Sequence, residues 1–234
     1  RGVDNEAVFI GHNNAEQLLT VDGSLYKTAS FLEMDTQPVV TFELENFYKH
    51  DVEYNHARYK TSVIANNVHY IGNINQGGRV YPDKMIKSPV GKFDIFPSSN
   101  FLDVSVGDGD AIVALESYAD RLLQFKKESL YIINISGDYE YIESHHMHKG
   151  CSHTAAVTKI SEGIAWVNKN GCYIYNGESV EDITFGKLNP EHWAEFIKDY
   201  GIIGYLAKEK QLIVTNNPTG SSLSGAVYIY DLTV

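Results

Sequence analysis

Short apolar runs separated by polar turns dominate the middle of the chain, between Ala111 and His145. Four runs rich in Ile, Val, Leu, Tyr and Phe follow one another there: Ala111–Tyr118, Arg121–Phe125, Ser129–Ser136 and Tyr139–His145. Runs of this length, broken by Gly, Asp, Lys and Glu, are typical of an antiparallel β-meander. The pattern therefore predicts a four-stranded sheet at the centre of the chain.

The same plan recurs on both sides of this meander, and one landmark built around a tyrosine aligns the copies. The landmark reads Val80-Tyr81, Leu130-Tyr131-Ile132, Cys172-Tyr173-Ile174 and Val227-Tyr228-Ile229, each in the third predicted strand of its copy. Successive tyrosines are 50, 42 and 55 residues apart. Periods of about 40 to 50 residues with four strands each are typical of propeller blades. We therefore predict an all-β fold of β-propeller-like repeats, in about five four-stranded antiparallel blades, four of them legible.

One short inserted helix interrupts the strands and accounts for the longest interval. Asn189 is placed to cap it, Pro190 stands at its first position, and Gly201 follows its end. Its apolar stripe comprises Trp193, Phe196, Ile197 and Tyr200. Such a stripe usually packs on the helix's own sheet, and docking of a neighbouring subunit is the alternative.

Residues 1–60 are much less legible than the remainder. Pro38–Leu44 is predicted as a strand, whereas Asn46–Tyr59 fits a loop and a strand equally well. We assign 1–60 to one or more N-terminal blades or a partial domain, and 61–234 to the blades, with the helix inserted at 190–200. Because the chain opens without Met and without an apolar signal segment, we expect it to be a fragment of a longer protein.

Two prolines and weak periodicity predict a connecting loop at Ser88–Asn100. Just before it, the strand that begins at Arg79 is expected to end at Pro82 or to lie at a sheet edge. The reason is that proline has no N–H to donate to a neighbouring strand.

The formal net charge of −11 argues against a surface that grips nucleic acid, because such affinity rests on Lys and Arg neutralising phosphates. Simple solubility explains this charge, and so does a wall that DNA passes without sticking. No apolar run approaches the roughly 18 to 20 residues needed to span a bilayer. The two cysteines, Cys151 and Cys172, are too few for a disulfide framework; we read both as reduced, with one bridge left open.

Four His and one Cys fall within Ser144–His153 and could in principle supply metal ligands. On a strand, however, His146 and His148 would share a face while His145 would point away. No second cluster with recognisable ligand spacing occurs elsewhere in the sequence. We interpret the segment as a polar crossing between blades, and a metal site or a pH-sensitive contact stays open.

The acidic residues form no persuasive active site. Asp103, Asp108 and Asp110 lack the oxygen spacing and closing Glu of a calcium loop, which favours a Gly-Asp turn. Four more lie in the central meander, with no pair arranged for glycoside hydrolysis: Glu116, Asp120, Glu140 and Glu143. A nucleophile elbow and a phosphate-binding glycine loop are also missing from the sequence. We predict no catalytic residues, no metal, no cofactor and no enzymatic activity.

Several short phrases of the chain resemble a known family. They are Tyr70–Asn73, Asp83–Pro97, Ala114–Glu116, Asp120–Lys127, Leu130–Asn134, Gly163–Gly171, Ile203–Tyr205 and Gln211–Val214. Together they are similar to the β-propeller region of short-tailed phage nozzle (tail tubular B-type) proteins and related neck or muzzle proteins, over 61–234. The resemblance implies a virion component, usually a hexameric ring below the portal and adaptor that forms the distal DNA channel.

We therefore expect a non-enzymatic structural protein located in the phage tail of the virion. Its expected partners are copies of itself in a ring, adjacent tail or adaptor proteins, and genomic DNA that passes without sequence-specific binding; no membrane span is expected. The alternative is a host-receptor or carbohydrate-binding propeller, in which exposed Tyr and Trp rings would stack on sugars. A propeller glycosidase or lyase is a weaker rival, because the carboxylate pair is missing.

Overall fold

The computed structural model describes most of the chain from Ala57 onward and one short hairpin before it. The described residues are 18–21, 24–27, 57–76, 78–97, 100–105, 107–137, 139–198, 200–216 and 227–233. In the hairpin, β1 (Leu18–Val21) pairs antiparallel with β2 (Ser24–Lys27). The predicted strand at Pro38–Leu44 lies outside the described residues.

Four antiparallel sheets follow the hairpin, each made from strands that are consecutive in sequence. Sheet 1 contains β3 (Ala57–Ala65), β4 (Val68–Gln76), β5 (Arg79–Lys87) and β6 (Phe101–Asp103). Sheet 2 contains β7 (Ile112–Tyr118), β8 (Arg121–Lys126), β9 (Ser129–Asn134) and β10 (Tyr141–Met147). Sheet 3 contains β11 (Val157–Ile160), β12 (Gly163–Asn168), β13 (Gly171–Tyr175) and β14 (Val180–Asp182). Sheet 4 contains β15 (Gly201–Leu206), β16 (Gln211–Asn216) and β17 (Val227–Asp231).

The predicted all-β class and the four-stranded central meander are confirmed, but the prediction of about five blades is wrong. The described residues form four such sheets, of which sheet 4 has three strands, and they contain no closed propeller. The sequence period reveals strands and their grouping. It does not report the rotation from one sheet to the next, which determines whether a ring closes.

The sheets pack face to face in chain order. Strand β3 packs against β7, β7 contacts β12, and β11 and β12 pack against β15. Sheet 2 thus has a neighbour on each face, which explains why its strands β8 and β9 are buried almost throughout instead of alternating between apolar and polar. One face carries Leu123 and Phe125 toward sheet 3, and the other carries Leu122 and Tyr131 toward sheet 1.

All four copies of the tyrosine landmark lie in the third strand of a sheet, as predicted: β5, β9, β13 and β17. Their surroundings differ. Tyr131 and Tyr173, in the two middle sheets, are buried. Val80 in sheet 1 and Ile229 in sheet 4 are exposed. The terminal sheets therefore present apolar side chains of their third strands to the surface.

Strand β5 does not end at Pro82 but continues to Lys87, so the first of the two expected alternatives is wrong; Pro82 lies outside the part of β5 that pairs with β6, Lys84–Ile86. The pairing of β4 with β5 shifts register between Gly72 and Ile74, and Pro82 falls in this irregular stretch. Because Pro82 is not paired there, its missing N–H leaves no neighbouring carbonyl without a donor. The connecting segment after β5 follows the prediction, since β6 begins only at Phe101.

The predicted helix is present as α1 (Pro190–Ile197), but it ends before the predicted 190–200 does, because Lys198 leaves the helical conformation with φ of 51°; Tyr200 therefore lies outside it. The Asn189 side chain accepts hydrogen bonds from the backbone N–H groups of Glu191 (2.8 Å) and His192 (3.2 Å), so the predicted cap is confirmed. Helix α1 packs on β13 and β16, and Trp193 and Ile197 are buried in the core that sheets 2 to 4 share. The helix therefore packs on its own sheets. No helix among the described residues is long and apolar enough to cross a membrane.

Candidate functional site

The histidine-rich segment begins on β10, which carries His145 and His146 and ends at Met147, and continues as a crossing toward β11, which begins only at Val157. Its side chains do not converge. The His145 ring stacks on Tyr131, with ring centroids 4.2 Å apart, whereas a His146 ring nitrogen lies 3.1 Å from the Ser144 hydroxyl. Within the described part of the chain, no three His, Cys, Asp or Glu side chains are grouped so that they could hold a metal ion.

His146 and His148 do not share a strand face, contrary to the expectation from alternation. The reason is that His148 lies beyond the end of β10 and adopts a left-handed backbone with φ of 62°. Cys151 and Cys172 are both free and buried, so the bridge left open by the sequence does not form. Burial raises the pKa of both thiols, which keeps them protonated and unreactive at neutral pH.

Backbone carbonyls of the crossing accept hydrogen bonds from side chains of sheet 3. The Trp166 indole Nε1 donates to the Lys149 carbonyl at 2.8 Å, and Asn168 Nδ2 donates to the carbonyls of His148 (3.0 Å) and Gly150 (2.8 Å). On the opposite side, the Cys151 N–H donates to the Lys126 carbonyl of sheet 2 at 2.9 Å. The crossing is therefore tied to both sheets at once.

Gly150 allows this close approach. A β-carbon added there would lie 2.6 Å from the Lys127 carbonyl oxygen and 2.6 Å from the Ser129 nitrogen, both backbone atoms of sheet 2 and its turn. Real β-carbons essentially never approach other atoms within 3.0 Å, so any larger residue would push the crossing away from sheet 2.

Asp108, in the Gly-Asp segment before sheet 2, pairs with a buried lysine of β8, Lys126. Lys126 is 0% exposed, and its Nζ donates to Asp108 at 2.7 Å and to the Ser105 carbonyl at 2.9 Å. Burial raises the pKa of the Asp108 carboxyl, but hydrogen bonds from Lys126 and the Asp110 backbone outweigh this and leave the pKa below its usual value. Sequence reasoning missed this pair, because Lys126 reads as part of a polar Lys-Lys-Glu turn.

Asp110 serves a different structural purpose. Its carboxylate accepts hydrogen bonds from the backbone N–H groups of Lys127, Glu128 and Ser129, at 2.8 to 3.2 Å, and from the Ser129 hydroxyl at 2.9 Å. It thereby fixes the turn between β8 and β9. The predicted Gly-Asp turn is present, and its Asp110 binds the backbone of the β8–β9 turn of sheet 2.

The acidic residues of the central meander have separate partners. Glu140 pairs with Lys87 and accepts from the Tyr70 hydroxyl at 3.4 Å. Three others are engaged elsewhere or buried: Glu143 pairs with Arg121, Asp120 accepts from Asn66 at 3.2 Å, and burial raises the pKa of Glu116. Ion pairing and burial thus give each of these carboxylates a structural explanation.

Lys87, Glu140 and Tyr70 line a cleft of about 390 Å³ between sheets 1 and 2, which also includes Ser88 and Ile135. The ion pair lies at partly buried positions, with the Lys87 side chain 27% exposed and that of Glu140 15% exposed. Burial, and then the nearby Glu140 carboxylate, raise the pKa of Tyr70, so its hydroxyl stays a hydrogen-bond donor. The chemistry of this cleft is a polar contact joining two sheets.

No protein-family model matches the chain, and no curated protein matches it. The residues brought together by the fold are therefore the basis for a functional conclusion. They tie sheet 2 to its neighbours through the crossing at 148–153 and the pair of Lys87 and Glu140, and to the linker before it through Asp108 and the buried Lys126.

Proposed function

We propose that the chain is a non-enzymatic structural module of a phage tail nozzle or neck assembly. In this proposal its four sheets are blades of a β-propeller-like body that helps to form the DNA exit channel. The observation that carries the proposal is the fixation of sheet 2 on both of its faces. A buried core covers each face. Thr61 of sheet 1 bonds to the backbone of sheet 2, and Asn168 of sheet 3 bonds to the backbone of the crossing that leaves sheet 2.

The contacts on both faces of sheet 2 favour a rigid arrangement of the sheets. Thr61 Oγ1 of sheet 1 accepts the Leu115 N–H of sheet 2 at 2.9 Å in a buried setting, and Asn73 Nδ2 donates to the Ile112 carbonyl at 2.8 Å. On the other face, the Phe125 and Trp166 rings meet edge to face with centroids 5.2 Å apart. A body braced in this way suits a wall built from repeated subunits.

The charge of the chain supports a role beside DNA without binding to it. A net charge of −11 opposes retention of a phosphate backbone, because like charges repel and few counterions would be released. Exposed apolar side chains on the terminal sheets, such as Val80 and Ile229, are suited to contacts with further copies or with adjacent tail proteins.

Immuno-electron microscopy of virions purified from cells that express the chain tests its location. Antibodies against residues 57–234 are expected to label one end of the tail. Virions that lack the chain altogether would overturn the proposal.

DNA binding provides a second test. In a fluorescence-anisotropy titration at low salt, a 20-base-pair duplex should bind more weakly than the roughly 10⁻⁴ to 10⁻⁶ M typical of non-specific DNA-binding proteins at physiological salt. Tight binding that weakens steeply with salt would contradict a channel wall that DNA passes freely.

A carbohydrate-binding module is the second candidate function, and the exposed rings next to β10 favour it. Tyr139 is 84% exposed, and Tyr141 is exposed two residues further on. A glycan array is the appropriate test. Reproducible hits that Tyr139→Ala and Tyr141→Ala abolish would support this candidate over the tail module.

A further inference from the structure

A second cleft, of about 370 Å³, lies where three segments meet beside the crossing. These are the β8–β9 turn, the β12–β13 turn and the segment that follows α1. We call it the lysine cleft, after three of its eight lining residues: Lys127, Lys169, Lys198, Glu128, Ser152, Asn168, Asn170 and Tyr200. It is distinct from the cleft between sheets 1 and 2.

The lysine cleft has a positive balance in a chain where acidic residues outnumber basic ones by 30 to 19. Among the described residues that line the cleft, there are three lysines and one carboxylate, that of Glu128. Lys169 lies 3.9 Å from this carboxylate, and both side chains are 59% exposed, so water screens their attraction. Lys127 and Lys198 form no ion pair with any other residue in the described part of the chain.

The backbone holds Lys198 in a conformation that favours glycine. Its φ is 51° and its ψ is −129°, while its N–H donates to the Ala194 carbonyl at 2.9 Å to close the last turn of α1. A side chain in this region strains the backbone, and such strain is concentrated at functional sites. A lysine stands here where a glycine would relieve the strain.

Tyr200 adds a flat apolar surface to the same cleft. Its ring is 52% exposed and lies at 25° to that of His153, with centroids 6.2 Å apart. Burial and the charge of Lys60 lower the pKa of His153, so this neighbour stays neutral around pH 7. The ring of Tyr200 is therefore backed by a neutral imidazole and faces the cleft.

We propose that the lysine cleft binds the phosphate group of a phosphorylated sugar, with the sugar ring against Tyr200. Lysine binds phosphate as a mobile point charge and needs no bidentate geometry, so three flexible side chains are suited to it. The volume fits one ring with its phosphate. A DNA duplex fits less well, because a small cleft engages few phosphates and the net charge of −11 repels a polyanion. This binding does not depend on the proposed tail role.

Isothermal titration calorimetry with glucose 6-phosphate, inorganic phosphate and glucose tests the assignment. Glucose 6-phosphate should bind most tightly, inorganic phosphate more weakly, and glucose not measurably. The double variant Lys127→Gln/Lys198→Gln should lose at least about tenfold in affinity for glucose 6-phosphate, because two charge-assisted contacts disappear. Tyr200→Ala should weaken glucose 6-phosphate binding and leave inorganic phosphate binding unchanged.

The matched control is Lys92→Gln/Lys208→Gln, which also removes two charges, from exposed positions outside the cleft, and should leave the affinity unchanged. Thermal melting of each variant should match the parent, since these side chains are exposed. The proposal is overturned if glucose 6-phosphate does not bind, or if Lys127→Gln/Lys198→Gln binds it as well as the control Lys92→Gln/Lys208→Gln does. It is also overturned if duplex DNA binds with the same dependence on Lys127 and Lys198.

Discussion

The two faces of sheet 2 are joined to their neighbours by different chemistry. The face toward sheet 3 is sealed by large neutral rings and by bonds to backbone carbonyls, with Trp166 and the crossing at 148–153 at its centre. The boundary with sheet 1 includes charged groups, the pair of Lys87 and Glu140 beside Tyr70. On the linker that joins these two sheets, Asp108 holds the buried Lys126.

Sheet 2 is thus joined to its two neighbours by interactions that respond differently to pH. Neutral rings and backbone hydrogen bonds change little between pH 4 and pH 9, whereas ion pairs depend on the charge of both partners. A partly buried ion pair is weak evidence of stability, but removal of one partner leaves a buried charge without compensation. The two faces should therefore fail under different perturbations.

Gly150→Ala should cause the largest loss of stability, because its β-carbon would clash with backbone atoms and no side-chain rearrangement can relieve such a clash. The added β-carbon meets backbone atoms of the turn and of sheet 2, so the free energy of unfolding should fall by about 4 kcal/mol or more. Urea unfolding followed by circular dichroism measures this. Gly204→Ala is the matched control, since a β-carbon there has no atom within 4 Å; a loss no larger than that of the control would refute the tight crossing.

Asp108→Asn should destabilise the protein by about 3 kcal/mol, because the buried Lys126 keeps its charge and loses its carboxylate. Lys126→Met removes the buried charge itself and should be less harmful. Because the pKa of Asp108 is lowered in the folded protein, its stabilisation is complete above its unfolded pKa and disappears as the pH falls below about 4. Urea unfolding at pH 7 and at pH 3 should therefore show a smaller difference between Asp108→Asn and the parent at pH 3. Equal losses in the two variants at pH 7 would argue against the buried-charge explanation.

Trp166→Phe should cost about 2 kcal/mol on the neutral face. It keeps an aromatic ring, but it leaves the Lys149 carbonyl without its indole donor and opens a small cavity. Thermal unfolding should show the loss, and it should be the same at pH 5 and pH 8, because no charge is involved. Phe185→Leu, at an exposed position, is the control and should leave the melting temperature unchanged. A strong pH dependence of the Trp166→Phe effect would contradict the neutral character of this face.

His153→Gln should cause the smallest change in stability, and its effect should depend on pH near neutrality. Burial and Lys60 lower the pKa of His153 in the folded state, so the unfolded chain takes up a proton that the folded chain resists. Stability from this residue is therefore present above about pH 6.5 and is lost as the pH falls below it. The variant should show a shallower decrease of melting temperature between pH 7.5 and pH 5.5. An unchanged slope would show that His153 does not titrate differently on folding.

The sequence predicted elements better than it predicted contacts. Short apolar runs and the polar turns between them located the strands of sheet 2, and capping chemistry located α1 through Asn189 and Pro190. The number of blades was wrong, because the angle between sheets depends on side chains distant in sequence. Lys126 and Gly150 carried no local signal, since a turn lysine and a loop glycine are ordinary on a surface and become decisive only after the sheets stack.

We propose that the stacked sheets form one rigid body. Native-state hydrogen exchange of two backbone amides tests this most directly. The Leu115 N–H bonds across to Thr61 of sheet 1, and the Cys151 N–H bonds across to Lys126 of sheet 2. Both amides should exchange only through global unfolding, with the same free energy of opening as the core amides of β8 and β9. Exchange of either amide through a separate opening of much lower free energy would show that the sheets move apart and would contradict the claim.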